Sequence, residues 1–319
     1  MAHQLGKGEL VTTATTQSIH QKIKELSKKR NAVILAHNYQ LPDVQDAADF
    51  VGDSLKLSQK AASSTADVIV FCGVHFMAET AAILAPEKTV LIPDLKAGCS
   101  LAATITADDL RSWKKAHPGA IVVTYVNSSA EVKAESDYCC TSSNAVKIVE
   151  SIPRYKEVLF APDMYLGSWV KSQTKRDNIH LWPGSCHVHH MIKTEDIKAL
   201  KREHPKAEFV MHPECGCMST CLPLADKVLS TEGMVNYAKE SPQKEFIVAT
   251  ETGILHRMKN QNPDKTFYPS TPEAVCEFMK MITLEKLLWS LEDLKYKVTV
   301  PKDVAAKAKL AIDRMVSIC

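Results

Sequence analysis

The hydrophobic residues of the chain are concentrated in nine short runs of strand length. Most runs are continuously apolar rather than alternating, which is typical of parallel strands that are covered on both faces. Amphipathic segments with helical periodicity lie between the runs. The runs are 33–39, 68–74, 90–95, 121–127, 158–163, 179–183, 209–214, 246–251 and 265–269. The pattern predicts an α/β protein whose nine strands form three sets of three.

Two predicted helices reveal a repeat of 88 residues. They begin at Thr106 and Thr194, and each is predicted to have a threonine N-cap, acidic residues in its first turn and His-Pro at its end. Aspartates, hydroxyl residues, prolines and cysteines recur with them at offsets between 86 and 90. These repeated positions are Asp49, Asp137 and Asp226; Ser54, Ser142 and Thr231; Pro93, Pro183 and Pro269; Cys99, Cys186 and Cys276.

A period near 88 residues is too long for a solenoid unit and indicates a triplicated α/β domain. Similarity among all α/β sequences is the alternative, but it does not explain a shared cysteine after a shared proline. We predict three pseudo-equivalent, three-layer α/β domains with small parallel sheets about a pseudo-threefold axis, and a helical C-terminal tail. The predicted ranges are 1–104, 105–192, 193–283 and 284–319.

Polar residues close the first strand of each third. Because ligands bind at the carboxyl ends of parallel strands, these side chains are expected to converge on one site. They are His37, Tyr39, Tyr125, Asn127, His212 and Glu214. Ser54, Ser142 and Thr231 lie at or near predicted helix starts, where hydroxyl and backbone N–H groups hold carboxylates or phosphates. Simple N-caps and satisfied polar strand ends remain the alternatives.

Ten cysteines stand in a chain without an export signal, so metal binding or redox chemistry is favoured over a disulfide framework. Cys99, Cys186 and Cys276 come one from each third. Three thiolates leave one iron of a 4Fe-4S cluster open, which makes that iron a Lewis acid. Tetrahedral zinc with a fourth ligand from 187–190 is the competing interpretation.

The densest cysteine cluster, Cys215, Cys217 and Cys221, has no counterpart in the other thirds, so it is not predicted to be the principal metal site. A redox-sensitive thiol pair and unpaired thiols near a helix start both remain open. The vicinal cysteines at 139–140 are predicted to pack on a helix, and Cys72 is predicted to be a core residue.

Composition and charge narrow the class of protein. Hydrophobic residues make up 45% and charged residues 24% of the 319 positions, as in a globular protein. The net charge of +2 comes without a basic run, which argues against a nucleic-acid partner. The longest stretches without Asp, Glu, Lys or Arg have 15 residues, so no membrane span is expected. No secretory signal is recognised, and a cytoplasmic location is expected.

The chain resembles the quinolinate synthase family, the A protein of bacterial NAD biosynthesis, from about Gln21 into the tail. The segments that carry the resemblance are 34–54, 123–134, 184–190, 211–215 and 267–276. The resemblance implies a 4Fe-4S cluster and the condensation of iminoaspartate with dihydroxyacetone phosphate to quinolinate, phosphate and water. It also implies a transient contact with the L-aspartate oxidase or dehydrogenase that supplies iminoaspartate. An aconitase-type hydro-lyase and an iron-sulfur redox protein remain alternative functions.

Residue roles follow from the resemblance position by position. The implied cluster ligands are Cys99, Cys186 and Cys276, and the implied catalytic residues are Tyr39, His212 and Glu214. The implied substrate-binding residues are His37, Ser54, Tyr125, Asn127, Ser142, His189 and Thr231. His189 has no repeat partner, so its assignment rests on the resemblance alone.

Overall fold

The computed structural model describes residues 13–318, which form an α/β fold built on three separate parallel sheets. Each sheet has four strands, and every pairing between them is parallel. The strand order is the same in all three sheets: second, first, third, fourth. Within these residues no helix has both the length and the apolar character needed to cross a bilayer.

The helices and strands alternate through three similar segments and end in two helices. The first segment contains α1 (Thr13–Lys29), β1 (Ala32–His37), α2 (Pro42–Ala47), β2 (Phe50–Gly52), α3 (Ser54–Ser63), β3 (Val68–Cys72), α4 (His75–Leu84) and β4 (Thr89–Leu91). A 3-10 turn, Ala102–Thr104, follows. The second contains α5 (Ala107–Ala116), β5 (Ile121–Tyr125), α6 (Ala130–Ala134), β6 (Tyr138–Cys140), α7 (Ala145–Ser151), β7 (Val158–Ala161), α8 (Met164–Thr174), β8 (Ile179–Leu181) and α9 (His187–His190).

The third segment and the tail complete the described chain. The third contains α10 (Thr194–Glu203), β9 (Glu208–Met211), α11 (Met218–Cys221), β10 (Lys227–Val228), α12 (Thr231–Glu240), β11 (Glu245–Ala249), α13 (Ile254–Gln261), β12 (Thr266–Pro269) and α14 (Glu277–Lys280), with a 3-10 turn at Leu222–Leu224. The tail contains α15 (Leu284–Asp293) and α16 (Lys302–Ser317). The strands of each sheet fall inside one predicted range, while the domain boundaries themselves stay a prediction.

The prediction of nine strands was wrong, since residues 13–318 form twelve. The missed strands, β2, β6 and β10, each occupy an edge of a sheet and have only two or three residues. Polar residues lie close to both ends of these three strands, so no apolar run of strand length marks them, whereas the other edge strands, β4, β8 and β12, belong to longer runs. Cys139 and Cys140 belong to β6, so their predicted place on a helix was also wrong.

The repeated aspartates have one structural role in all three segments. In each, a carboxylate oxygen accepts the backbone N–H of a residue on the first strand of the sheet. The pairs are Asp49 with Ile34 at 2.8 Å, Asp137 with Val122 at 2.8 Å, and Asp226 with Phe209 at 2.7 Å. These bonds fix the edge strand's approach to its neighbour, and their recurrence supports the register derived from sequence.

The prediction of a threonine N-cap was right for α5 and wrong for α10. Thr106 caps α5 in a reciprocal capping box with Asp109. The N-cap of α10 is Lys193 instead, and Thr194 is the first helical residue. The Thr194 hydroxyl lies 2.5 Å from the Thr220 hydroxyl, and no side chain caps the start of α10.

The tail connects the first two segments. Helix α16 packs on α4 of the first segment and on α6 and β6 of the second. The Asn144 side-chain amide donates to the carbonyls of Met315 and Ile318, both at 2.8 Å. Pro301 directly precedes α16, as predicted for a helix start.

Candidate active site

The carboxyl ends of the first strands from all three sheets meet around one cavity. All thirteen residues singled out in the sequence line it. They are His37, Tyr39, Ser54, Cys99, Tyr125, Asn127, Ser142, Cys186, His189, His212, Glu214, Thr231 and Cys276. The structure thus brings the predicted set together, while the role of each residue remains a prediction.

A buried carboxylate between two imidazoles occupies one side of the cavity. Glu214 Oε2 lies 3.1 Å from His212 Nδ1 and 3.7 Å from His189 Nδ1, and the two rings stack with centroids 5.1 Å apart. Burial raises the pKa of Glu214, but His189 and His212 outweigh it and hold the pKa below its usual value. Glu214 is therefore a carboxylate at neutral pH, as a general base must be.

The other polar contacts of these imidazoles extend the group. His212 Nε2 lies 3.0 Å from Ser142 Oγ, and His189 Nε2 lies 3.0 Å from Thr250 Oγ1. The ligand atoms of His189, His212 and Glu214 all lie within 4.8 Å of one another. This spacing suits a proton relay and is also compatible with a metal ion.

Tyr39 reaches the same group from the first sheet. Its hydroxyl lies 2.5 Å from Thr250 Oγ1 and 3.5 Å from His189 Nε2. Burial, followed by the charge of Glu214, raises the pKa of Tyr39 well above its usual value. The phenol thus keeps its proton at neutral pH and is able to donate it. Burial and Glu214 raise the pKa of Tyr125 in the same way.

His37 is held as a neutral ring. The Tyr39 backbone N–H donates to His37 Nδ1 at 3.2 Å, so the ring proton of the neutral form is on Nε2. Burial, followed by the electrostatic effects of His212 and Lys280, lowers the pKa of His37 to about 3. The protonated Nε2 is therefore available as a hydrogen-bond donor at neutral pH.

We expect His37→Asn to make stability less dependent on pH. In the wild type the unfolded chain binds a proton below pH about 6.5, whereas folded His37 does so only near pH 3, so stability is lost as the pH falls between these values. The variant retains an acceptor for Tyr39 and should flatten the slope by up to about 1.4 kcal/mol per pH unit. Urea unfolding of the metal-free chain at pH 4 to 7 measures this; equal slopes contradict it.

None of the three repeated hydroxyl residues is an N-cap. Asp53 caps α3 and Ser230 caps α12, so Ser54 and Thr231 are the first residues inside these helices. Asn144 occupies the N-cap position of α7, two residues after Ser142. The starts of two long helices therefore present hydroxyl groups to the cavity, and their positive ends favour an anion there.

Asn127 supplies a further polar group without a partner. Its Oδ1 atom is buried and has no hydrogen-bond partner among residues 13–318. Buried polar atoms are normally paired, so an unpaired one in a cavity wall indicates a site for a polar ligand.

The three repeated cysteines share a local geometry. Cys186 and Cys276 directly precede α9 and α14, and Cys99 precedes the 3-10 turn at Ala102–Thr104. Backbone N–H groups of these turns approach the sulfurs, with Ala102 N 3.4 Å from Cys99 Sγ. Burial raises the pKa of all three thiols, that of Cys99 to about 12. Cys276 also raises the pKa of Cys99, and both of these thiols raise that of Cys186; all three line the cavity.

Sequence reasoning missed the ion pair of Glu251 and Lys280. Lys280 Nζ lies 2.8 Å from Glu251 Oε1, and that oxygen also accepts the backbone N–H of Cys276 at 3.0 Å. Lys280 donates as well to the Tyr39 carbonyl. Glu251 closes a strand run of the third segment, so the rule on carboxyl ends would have found it had it been applied to every strand.

A second missed pair lies beside the cysteines. His187 Nδ1 is 2.6 Å from Ser100 Oγ, and both residues line the cavity. Neither residue received a role from the family resemblance. Neighbouring Phe76 and Phe278 add apolar surface to the same wall.

Two of the three cysteines in the cluster at Cys215, Cys217 and Cys221 form a disulfide. Cys217 and Cys221 are bonded to each other, while Cys215 is a buried free thiol. The expectation of reduced cysteines was wrong at this pair. One turn of helix brings their Cα atoms to 5.4 Å, within the range that a disulfide bridges. Sulfurs in a disulfide are not thiolate ligands for a metal, and none of the three cysteines lines the cavity.

Three sheets around one cavity, lined by three thiols and an ionised carboxylate, define an enzyme that acts on small polar molecules. The family model described as quinolinate synthetase A protein (NadA) matches residues 21–317. A quinolinate synthase of Thermus thermophilus is 56% identical over 304 residues, covering 95% of this chain and 98% of that protein. Quinolinate synthase of Pyrobaculum aerophilum is 53% identical over 303 residues, covering 93% and 98%. The chain belongs to the quinolinate synthase family.

Proposed function

We propose that this chain condenses iminoaspartate with dihydroxyacetone phosphate to give quinolinate, one phosphate and two waters, as a step of NAD biosynthesis. The observation that supports this most is the single cavity in which all thirteen predicted residues lie. Its ionised carboxylate, its helix starts and its thiols suit a reaction that removes protons, holds two anionic substrates and expels water.

A three-cysteine iron-sulfur site fits this cavity. Cys99, Cys186 and Cys276 would hold a 4Fe-4S cluster, because the three thiols line one cavity and N–H groups of the following turns approach the sulfurs. When bound, such a cluster supplies Lewis-acid chemistry at its one open iron. Zinc is less favoured, since Ser100, Thr250 and Tyr165 hold the histidines of 187–190.

Glu214 is the proposed general base. Its ionised carboxylate takes a proton from the substrate carbon skeleton, and His212 links it to Ser142. Tyr39, whose phenol is protonated at neutral pH, is the proposed donor to a leaving hydroxyl. Thr250 and His189, both in contact with this phenol, orient it, and the proton that Glu214 has taken returns to the phenolate through His189, which lies beside both groups.

The remaining polar residues are proposed to hold the substrates. Ser54 and Thr231 at the starts of α3 and α12 bind phosphate or carboxylate oxygens with the help of the helix ends. Ser142 and Asn127 do the same from the second sheet. His37, Tyr125 and His189 are proposed as neutral donors that bind the substrates without adding charge.

We also propose a cytoplasmic location and a transient contact with the L-aspartate oxidase or dehydrogenase that supplies iminoaspartate. Imines hydrolyse in water, so a short path between the two enzymes limits loss of the intermediate. Substrates of this size suit the observed cavity.

Product analysis tests the proposed function. The anaerobically purified protein, given dihydroxyacetone phosphate and enzymatically generated iminoaspartate, is expected to release quinolinate and phosphate in equal amounts. A hydro-lyase of the aconitase type would instead hydrate or dehydrate a hydroxy acid without joining carbon chains. A redox protein would give neither product. Either of these outcomes overturns the proposal.

A further inference from the structure

A second group of side chains with the atoms to hold a metal ion lies in the second segment, outside the lining of the cavity. His117 follows the end of α5, Glu157 directly precedes β7, and His180 is the middle residue of β8. Glu157 is at the amino end of β7 and His180 pairs with the second residue of that strand, whereas the cavity lies at the carboxyl ends of strands. The group is therefore separate from the proposed active site.

The ligand atoms have the spacing of a metal coordination shell. Glu157 Oε2 lies 3.1 Å from His117 Nδ1 and 3.4 Å from His180 Nε2. All three atoms lie within 4.8 Å of one another. Ligands at about 2.0–2.2 Å from a tetrahedral Zn²⁺ are about 3.3–3.6 Å apart, so the two measured edges are close to those of a zinc site.

One ring nitrogen of His180 lacks a hydrogen-bond partner among the described residues. Its Nε2 atom is buried, and it has no hydrogen-bond partner among residues 13–318 although the Glu157 carboxylate is only 3.4 Å away. A buried polar atom in this state normally has a partner such as a water or an ion. A cation between this nitrogen and the carboxylate would satisfy both.

The repeat offers an internal comparison. In the third segment His204, Glu245 and Tyr268 take the equivalent places, and Tyr268 has the strand register of His180. The His204 and Tyr268 rings stack with centroids 3.7 Å apart. In both segments a histidine packs on the ring of the third residue in the group. In the second segment that ring is the imidazole of His180, which has a ligand nitrogen, whereas in the third it is the phenol ring of Tyr268, which has none.

We propose that His117, Glu157 and His180 bind one divalent transition-metal cation, with Zn²⁺ as the ion that best fits two imidazoles and a carboxylate. Three protein ligands leave a fourth position for water. The bound ion would connect the end of α5 to two neighbouring strands, and so it would stabilise the second segment.

Zn²⁺ titration of the cluster-loaded protein tests this site, since the cluster keeps the cavity cysteines occupied. Calorimetry is expected to show a Zn²⁺ site in the wild type that depends on His180, whatever the cavity group of His189, His212 and Glu214 binds. In His180→Tyr the Kd should weaken at least about tenfold, a loss that even outer-shell partners of metal ligands produce. Trp113, with its ring 6.4 Å from that of His117, gives a second readout, because Ni²⁺ bound here should quench its fluorescence.

The repeat also supplies the controls. His180→Tyr copies the residue of the third segment, so it should fold and keep its cluster, and Tyr268→His is expected to create a second Zn²⁺ site. His256→Gln breaks another surface pair, between His256 Nε2 and Asp46 at 2.7 Å, and should leave binding unchanged. No Zn²⁺ binding in the wild type, or the same Kd in wild type and His180→Tyr, overturns the proposal.

Discussion

Cys99→Ala, Cys186→Ala and Cys276→Ala are each expected to purify with iron and sulfide near background, and with quinolinate formation reduced at least about a hundredfold. Each third of the chain supplies one thiol, and the others do not replace it, because the remaining described cysteines lie outside the cavity. Iron and sulfide analysis after anaerobic purification, with the visible absorbance of the cluster, measures the effect.

A matched control is Cys72→Ala. Cys72 is a fully buried free thiol that ends β3 in the core, whereas the three proposed ligands are partly exposed at the cavity. Its removal should cost about 1 kcal/mol or more of stability through the cavity left behind, and should leave cluster content unchanged. Full iron and sulfide in all three ligand variants, or loss of the cluster in Cys215→Ala alone, contradicts the assignment.

Glu214→Gln is expected to lower kcat by about 10²–10⁴-fold, the contribution typical of a positioned acid or base. The amide keeps the shape and the contact with His212 but removes the negative charge and the ability to accept a proton. Because the pKa of Glu214 lies below its usual value, the wild-type rate should not fall until the pH is clearly acidic. Steady-state rates across pH 5 to 8 measure both effects.

Two readouts separate a base from a structural role. Cluster content should be unchanged in Glu214→Gln, and KM should change much less than kcat. Glu232→Gln is the matched control, since Glu232 is a buried carboxylate that pairs with Lys56 and Arg257 outside the cavity lining. A variant that retains its cluster and full turnover removes Glu214 from the base role.

The fold was predictable from the sequence where buried strands produce apolar runs and where the same residue recurs in each third. Continuous apolar runs identified nine of the twelve strands of residues 13–318, and Asp49, Asp137 and Asp226 carried the register because each performs the same backbone contact. The edge strands β2, β6 and β10 were missed, since polar residues close to both of their ends leave no apolar run of strand length.

The candidate site was predictable to the extent that it repeats. Strand-end groups and one cysteine per third were all found at the cavity, whereas Glu251, Thr250 and His187 were not singled out. Thr250, from the third segment, contacts Tyr39, from the first. A contact between two sheets does not show in the spacing of residues along the sequence. The Cys217–Cys221 bond likewise depends on a helical turn that the pattern did not specify.

The distribution of the thiols also bears on how the protein is made. Cys276 follows Cys99 by 177 residues, so the ribosome synthesises the three thiols well apart in time. The side chain of Asn144 donates to the carbonyls of Met315 and Ile318, so these contacts of the second segment form only after the tail has been synthesised. A complete set of three thiols therefore does not exist on the nascent chain until the third segment has been made, so a delivery protein would meet a chain in which all three segments are present.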